Sequence, residues 1–215
     1  MIEIIEQVKE VMDHNFLWSY LCFFPAKKDK EDYADFGVAL EYALDYSTNG
    51  LIERVVGNNG WDFYLNIDTV NRIPIAIGEA KNTSTNSIVV KNYIGNNSNG
   101  KNIQYPQLYF VCQSKAATKT KPASKILYAI DGKEMKTVVE KFVEDKIQRE
   151  ILKGKKRNEV KFSTISVNIN NCKKTVVSIG DANMKLKPSY ENAYELKKKF
   201  IFENISNYCT KAVEV

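Results

Sequence analysis

The chain has 215 residues, 44% of them hydrophobic, 11% aromatic and 27% charged, with only 10 Gly and 5 Pro. That length and composition exclude a disordered or fibrous protein and predict one globular domain over 1–215 with a single core. With 31 Lys and Arg against 26 Asp and Glu, the formal charge is +5, which points to an anionic partner. No apolar run approaches the roughly 20 residues of a membrane span, and the opening MIEIIEQVKEVMDHN lacks the basic-then-apolar order of a leader, so the expectation is a soluble, cytoplasmic protein without a membrane partner.

Ile4, Ile5, Val8, Val11 and Met12 recur at helical spacing and predict one amphipathic helix over about 2–20, finished by Pro25. After the charged run AKKDKEDYAD, Phe36, Leu40, Ala43, Leu44 and Ser47 form the stripe of a second helix, which should stop near Asn49-Gly50. WDFYLNID and IPIAIGEAK are strand-like runs joined by a polar turn at Thr69 to Arg72, the pattern of a β-hairpin. Asn, Ser and Thr dominate about 82–102, interrupted by SIVVKNYI; QLYFVCQ and KILYAID then predict two buried strands flanking the basic loop SKAATKTKPASK. A helix is expected over 133–153, KFSTISVNIN and TVVSIG alternate like a late hairpin, and a closing helix starts near Ser189. The predicted fold class is α/β, a mixed central sheet flanked by helices, with a core at about 33–152 and the C-terminal hairpin and helix at about 158–212.

Chemistry has few places to reside. The four cysteines, Cys22, Cys112, Cys172 and Cys209, form no CxxC pair, and His14 is the only histidine, so zinc, Ser-His-Asp and Cys-His chemistry are all poorly served. His14, at the edge of an apolar helix, reads as a packing residue. Catalysis would have to rest on carboxylates and lysine.

A turn centred between Val70 and Asn71 sets Asp62 opposite Glu79. In that register Trp61 faces Ala80, Phe63 faces Gly78 and Leu65 faces Ala76, so large side chains oppose small ones, as cross-strand packing favours. Glu79 and Lys81 share a face because side chains alternate along a strand. Two apposed carboxylates beside an ammonium, with no His or Cys nearby, suit Mg2+, with Mn2+ as a substitute. Such a metal serves phosphoryl transfer, with Lys81 orienting a water and stabilising negative charge.

These residues resemble the PD-(D/E)xK superfamily of metal-dependent nucleases, which includes the type II restriction endonucleases. The resemblance covers about 36–82: Asp62 matches the Asp of the motif, Glu79-Ala80-Lys81 its ExK, and Glu41 in FGVALEYAL the acid that the first core helix often contributes. Trp61 stands where the motif has Pro, and Pro74 falls inside the second strand. The resemblance implies a restriction-endonuclease-like core, a metal held by Asp62, Glu79, Ala80 and Glu41, cleavage of double-stranded DNA, and a homodimer acting on a palindrome. The alternative is a nuclease-fold protein that binds nucleic acid without cutting it.

Other Glu-x-Lys tripeptides, such as Glu134-Met135-Lys136 and Glu144-Asp145-Lys146, sit on apparent helices as surface charges, and Asp131-Gly132-Lys133 reads as a turn. Asp68 could replace Asp62 only with a turn at Ile73-Pro74, which is too apolar. GNNSNGKN at 95–102 imitates a phosphate loop but has Asn102 where Ser or Thr would bind magnesium. Lys115, Lys119, Lys121 and Lys125 are candidate phosphate contacts, with Lys153 through Lys161 as an alternative, and the Asn-rich segment 82–102, Gln104, Gln107 and Gln113 are candidate base readers.

Overall fold

Asp13 divides the N-terminal helical stretch in two. The computed structural model describes residues 2–22, 30–55, 61–91, 106–115, 119–120, 124–160 and 164–180. Helix α1 (Ile2–Val11) ends before Asp13 and α2 (His14–Cys22) starts after it. The Asp13 carboxylate accepts the Phe16 N–H at 2.9 Å, a cap that satisfies an orphan donor only if a new helix begins there. The Asp13 N–H donates to the Ser47 carbonyl at 2.7 Å, at the end of α3 (Lys30–Ser47). The single helix expected over 2–20 is therefore two. Helix α3 begins inside the charged run and stops where expected: Asn49 and Gly50 adopt φ of 50° and 83°, left-handed values that close a helix.

Strand β1 (Ile52–Arg54), unanticipated, pairs with β2 (Phe63–Asn66), and β2 forms the expected hairpin with β3 (Pro74–Thr83). Phe63 lies opposite Gly78 and Leu65 opposite Ala76, the register read from the sequence, with a bulge only at Leu65/Asn66. Pro74 opens β3, a position where its missing N–H disturbs the ladder least. Strand β3 continues, parallel, against β5 (Leu108–Lys115); β5 and β6 (Ser124–Asp131) are antiparallel, and β6 pairs with β8 (Thr175–Gly180). The result is a mixed six-stranded sheet, order β1-β2-β3-β5-β6-β8.

The expected late hairpin does not form. Strand β7 (Thr164–Asn168) pairs with β4 (Ser87–Lys91) in a separate two-stranded sheet, while β8 joins β6. Their apolar faces serve opposite layers: Ile165 and Val167 pack with Ile88 and Val90 beside α4 (Gly132–Leu152), whereas Val177 packs with α1 to α3. Helix α4 matches the helix predicted over 133–153. Asp131, read as a turn residue, caps it by accepting the Lys133 N–H at 2.8 Å.

In place of the single core expected, the sheet separates two. Leu108, Phe110, Cys112, Leu127 and Ala129 face α1 to α3; Tyr109, Val111 and Ile130 face Met135 and Val139 of α4. Period-two alternation buried on both faces explains why QLYFVCQ and KILYAID are so apolar. The predicted helix near Ser189 and the phosphate-loop lookalike at 95–102 lie outside the described residues. No helix among the described residues is long and apolar enough to cross a membrane.

Two glycines should respond oppositely to alanine. A Cβ on Gly78 would lie 2.0 Å from a ring carbon of the fully buried Phe63, whereas one on Gly37 in α3 meets nothing within 4 Å. In urea unfolding, Gly78→Ala should destabilise by about 1–3 kcal/mol through overpacking, and Gly37→Ala should stabilise by up to about 1 kcal/mol through helix propensity. Equal effects would contradict the packing of Phe63 on Gly78.

Candidate active site

Asp62 is fixed where β2 begins. Its N–H donates to the Gly78 carbonyl at 3.0 Å, its carbonyl accepts the Val55 N–H at 2.9 Å, and its Oδ2 accepts the Ala80 N–H at 2.7 Å. The side chain is thereby tied to the centre of Glu79-Ala80-Lys81. Ala80 packs into the helix-side core, and alternation turns Glu79 and Lys81 to the other face, where the parallel ladder sets them beside Tyr109 and Val111. Lys81 and Glu79 form a half-buried ion pair through Nζ and Oε1.

Glu41 comes from α3. Its Oε2 accepts from Arg54 Nε at 2.9 Å, and both side chains are only 17% exposed. The Arg54 guanidinium sits over the Tyr42 ring, 4.3 Å from its centroid, and the Arg54 N–H donates to Asp45 Oδ2 at 3.1 Å. Burial pushes the Glu41 carboxyl up to about 7; the charge of Asp62 adds to the rise, while Arg54 and Lys81 oppose it. Burial also raises Asp45. Glu41, Asp62, Glu79 and Lys81, chosen from the sequence, thus form one electrostatically connected group. Arg54 and Asp45 are additions. Asp45 lies one helical turn from Glu41, a findable spacing, but Arg54 could not be placed without β1.

Other candidates have different duties. Asp68 is half-buried in the hairpin turn, where the Asn71 N–H at 2.6 Å and the Asn71 side-chain amide, with the Val70 N–H, hold its carboxyl below its usual range. Gln113 is buried and donates to the Thr85 carbonyl and to Asn86 Oδ1, and Gln107 Oε1 accepts the Ile77 N–H at 2.7 Å. Both glutamines hold loops to the sheet, and Gln113, buried with its amide N–H groups engaged, is not a base reader; Gln104 lies outside the described residues. His14 is exposed, with Nδ1 2.9 Å from Ser178 Oγ, and so is not a packing residue. Lys115 and Lys119 are exposed, Lys125 on β6 is half-buried opposite Ser114, and Lys121 lies outside the described residues.

Among the described residues no group of three or more His, Cys, Asp or Glu side chains closes up as a metal-ligating cluster. Each of the three carboxylates has a partner: Asp62 is bonded to the Ala80 N–H, Glu41 to Arg54 and Glu79 to Lys81. The donor set itself, carboxylates of Glu41, Asp62 and Glu79 with the carbonyl oxygen of Ala80, is the all-oxygen kind that a hard divalent cation takes. Comparison with protein-family models, curated proteins and solved structures finds no significant match.

The raised Glu41 carboxyl makes stability depend on pH. Between 4.5, its ordinary value, and about 7 the folded protein keeps a proton that the unfolded chain has released. Stability therefore falls across that window, and the full penalty is present above it. Glu41→Gln removes the penalty, so in a chelator its stability relative to wild type should rise by up to about 3 kcal/mol from about pH 5 to pH 8, measured by urea unfolding. A difference independent of pH would contradict the half-buried, charge-opposed setting of Glu41.

Proposed function

We propose that this protein is a divalent-cation-dependent endonuclease of the PD-(D/E)xK type, with a restriction-endonuclease-like core, hydrolysing phosphodiester bonds of double-stranded DNA. The observation that carries the reading is the hairpin register, which ties Asp62 to Ala80 between Glu79 and Lys81 and leaves Glu41 sensing the charge of Asp62. A group this acidic beside a fixed ammonium suits chemistry at a phosphate.

Asp62, Glu79, Glu41 and the main-chain carbonyl of Ala80 would hold Mg2+ or Mn2+. When bound, that ion supplies Lewis acidity at a phosphate oxygen and lowers the pKa of a water. Lys81 Nζ, held by Glu79, donates to the attacking water and then to the oxygens on which negative charge accumulates. The ion pair preorganises that donor, so it does not have to be recruited from solvent during the reaction.

The same end of the sheet supports the choice of DNA-facing lysines. Lys81 lies opposite Val111 in parallel register, so Lys115 is four residues further along β5, about 13 Å at strand rise. Lys115, Lys119 and Lys125 would neutralise phosphates there, and Lys121, outside the described residues, is assigned the same role from the sequence. The alternative stretch is less suited, because Lys153 and Lys155 bond Glu150, and Arg157 bonds Glu144 at 2.6 Å. A homodimer would present one such site to each strand of a palindrome.

Incubation of plasmid DNA with increasing Mg2+ or Mn2+ tests the activity. Asp62→Ala, Glu79→Ala and Lys81→Ala should each reduce cleavage by about two orders of magnitude or more with circular dichroism unchanged, and Glu41→Ala by less. Near-normal cleavage by any of the first three removes that residue from the site. DNA binding without cleavage at every cation concentration would favour a non-cutting nucleic-acid-binding protein.

Salt dependence tests the lysines. Neutralising Lys115, Lys119, Lys121 and Lys125 together should reduce the log-log salt slope of DNA binding by about 0.9 per lost phosphate contact, leaving sequence preference intact. An unchanged slope would return these lysines to ordinary solvated surface.

A further inference from the structure

Arg54 brings to the site a cation that the Asp-Glu-x-Lys pattern does not contain. It reaches Glu41 from the edge strand β1, with Nε 2.9 Å from Oε2. Three residues of α3 hold it: Glu41 takes the guanidinium, the Tyr42 ring lies beneath it at 4.3 Å, and Asp45 accepts its main-chain N–H at 3.1 Å. Tyr42 is itself stacked on Tyr46 at 6.1 Å, which limits where that ring can go. An ion pair so enclosed differs from a surface pair, whose long side chains wander and are screened by salt.

Glu41 and Asp62 repel each other, and the positive charges that act on Glu41 are those of Arg54 and Lys81. Lys81 is engaged by Glu79, so direct neutralisation of Glu41 falls to Arg54. A guanidinium and a divalent ion on one carboxylate would face each other as like charges at a few ångströms, in a setting where screening is weak. Resting on the metal-site reading above, we propose that Arg54 is the resident counter-cation of the site: it occupies Glu41 before the divalent cation arrives and sets that cation's affinity by competing for the carboxylate. Arg54 is in this sense a positioning residue that acts through Glu41.

Mn2+ binding to the full chain without DNA, followed by calorimetry or electron paramagnetic resonance near pH 8.5, tests the proposal. Arg54→Met keeps an aliphatic stem over Tyr42 and removes the charge; it should bind Mn2+ about tenfold more tightly than wild type, the reverse of what loss of a structural support would do. Arg54→Lys, which preserves the charge and the fold but not the planar donor, should tighten binding by about threefold. In the Glu41→Gln background the effect of Arg54→Met should vanish. Unchanged or weaker binding in Arg54→Met and Arg54→Lys overturns the proposal, as does a tightening that persists at full size with Glu41→Gln. The metal-site reading fails separately: wild type then binds no Mn2+, or binds it equally well after Asp62→Asn, and the Arg54 proposal falls with it.

Discussion

The contact of the Phe63 ring with Gly78 is the constraint on which the site depends. Phe63 is fully buried and occupies the space where any other residue at 78 would place its Cβ. A slip of one residue would turn every side chain of β2 to the opposite face and drive the ring into Ile77 or Glu79. With the slip forbidden, Asp62 must fall beside Ala80, and its carboxylate is near enough to accept that N–H. A packing fact thus positions a catalytic candidate. The glycine belongs to the core, yet its consequence is polar.

The electrostatics of the site run against what stability alone would select. Glu41 is half-buried, raised first by that burial and then by Asp62, and only partly relieved by Arg54 and Lys81, while Asp45, one turn along the same helix, is raised by burial as well. Such clustering is expected where a fold keeps acids for chemistry, and the surrounding packing must hold them there. The compensation is close at hand in the Arg54–Glu41 and Lys81–Glu79 pairs and in the main-chain donors given to Asp62 and Asp45. Positive charge elsewhere is spent differently. Near the end of α4, Lys153, Lys155 and Arg157 neutralise Glu150 and Glu144, whose carboxyls are both held down at about 2.

The two-layer core explains how an edge hairpin can carry a precise site. Strands β5 and β6 are buried on both faces, so the sheet interior is fixed by apolar packing above and below. Strand β3 is pinned to β5 by a parallel ladder running from Gly78 to Thr83, the stretch that contains Glu79 and Lys81. The residues proposed for chemistry therefore lie on the most constrained part of β3, while its exposed start, from Pro74, adjoins the hairpin turn.

What the sequence by itself determined is what local spacing encodes. The β2–β3 register, the strands β5 and β6 and helix α4 were legible because period-two alternation, size matching across a turn and helical periodicity each act over a few neighbouring residues. The Asp62, Glu79, Lys81 grouping follows from that register, and Glu41 was legible through the motif. Only the tertiary structure decided who pairs with whom over distance. The alternation in β7 and β8 identifies two strands but not that β4 and β6 are their partners, because that choice rests on which apolar layer each strand covers. Strand β1 is three residues long and carries no pattern, so Arg54 and its hold on Glu41 were invisible. Asp13 and Gln113 show the same limit: whether a polar side chain caps a helix, ties a loop or reads a partner depends on the donors and acceptors that the fold brings to it.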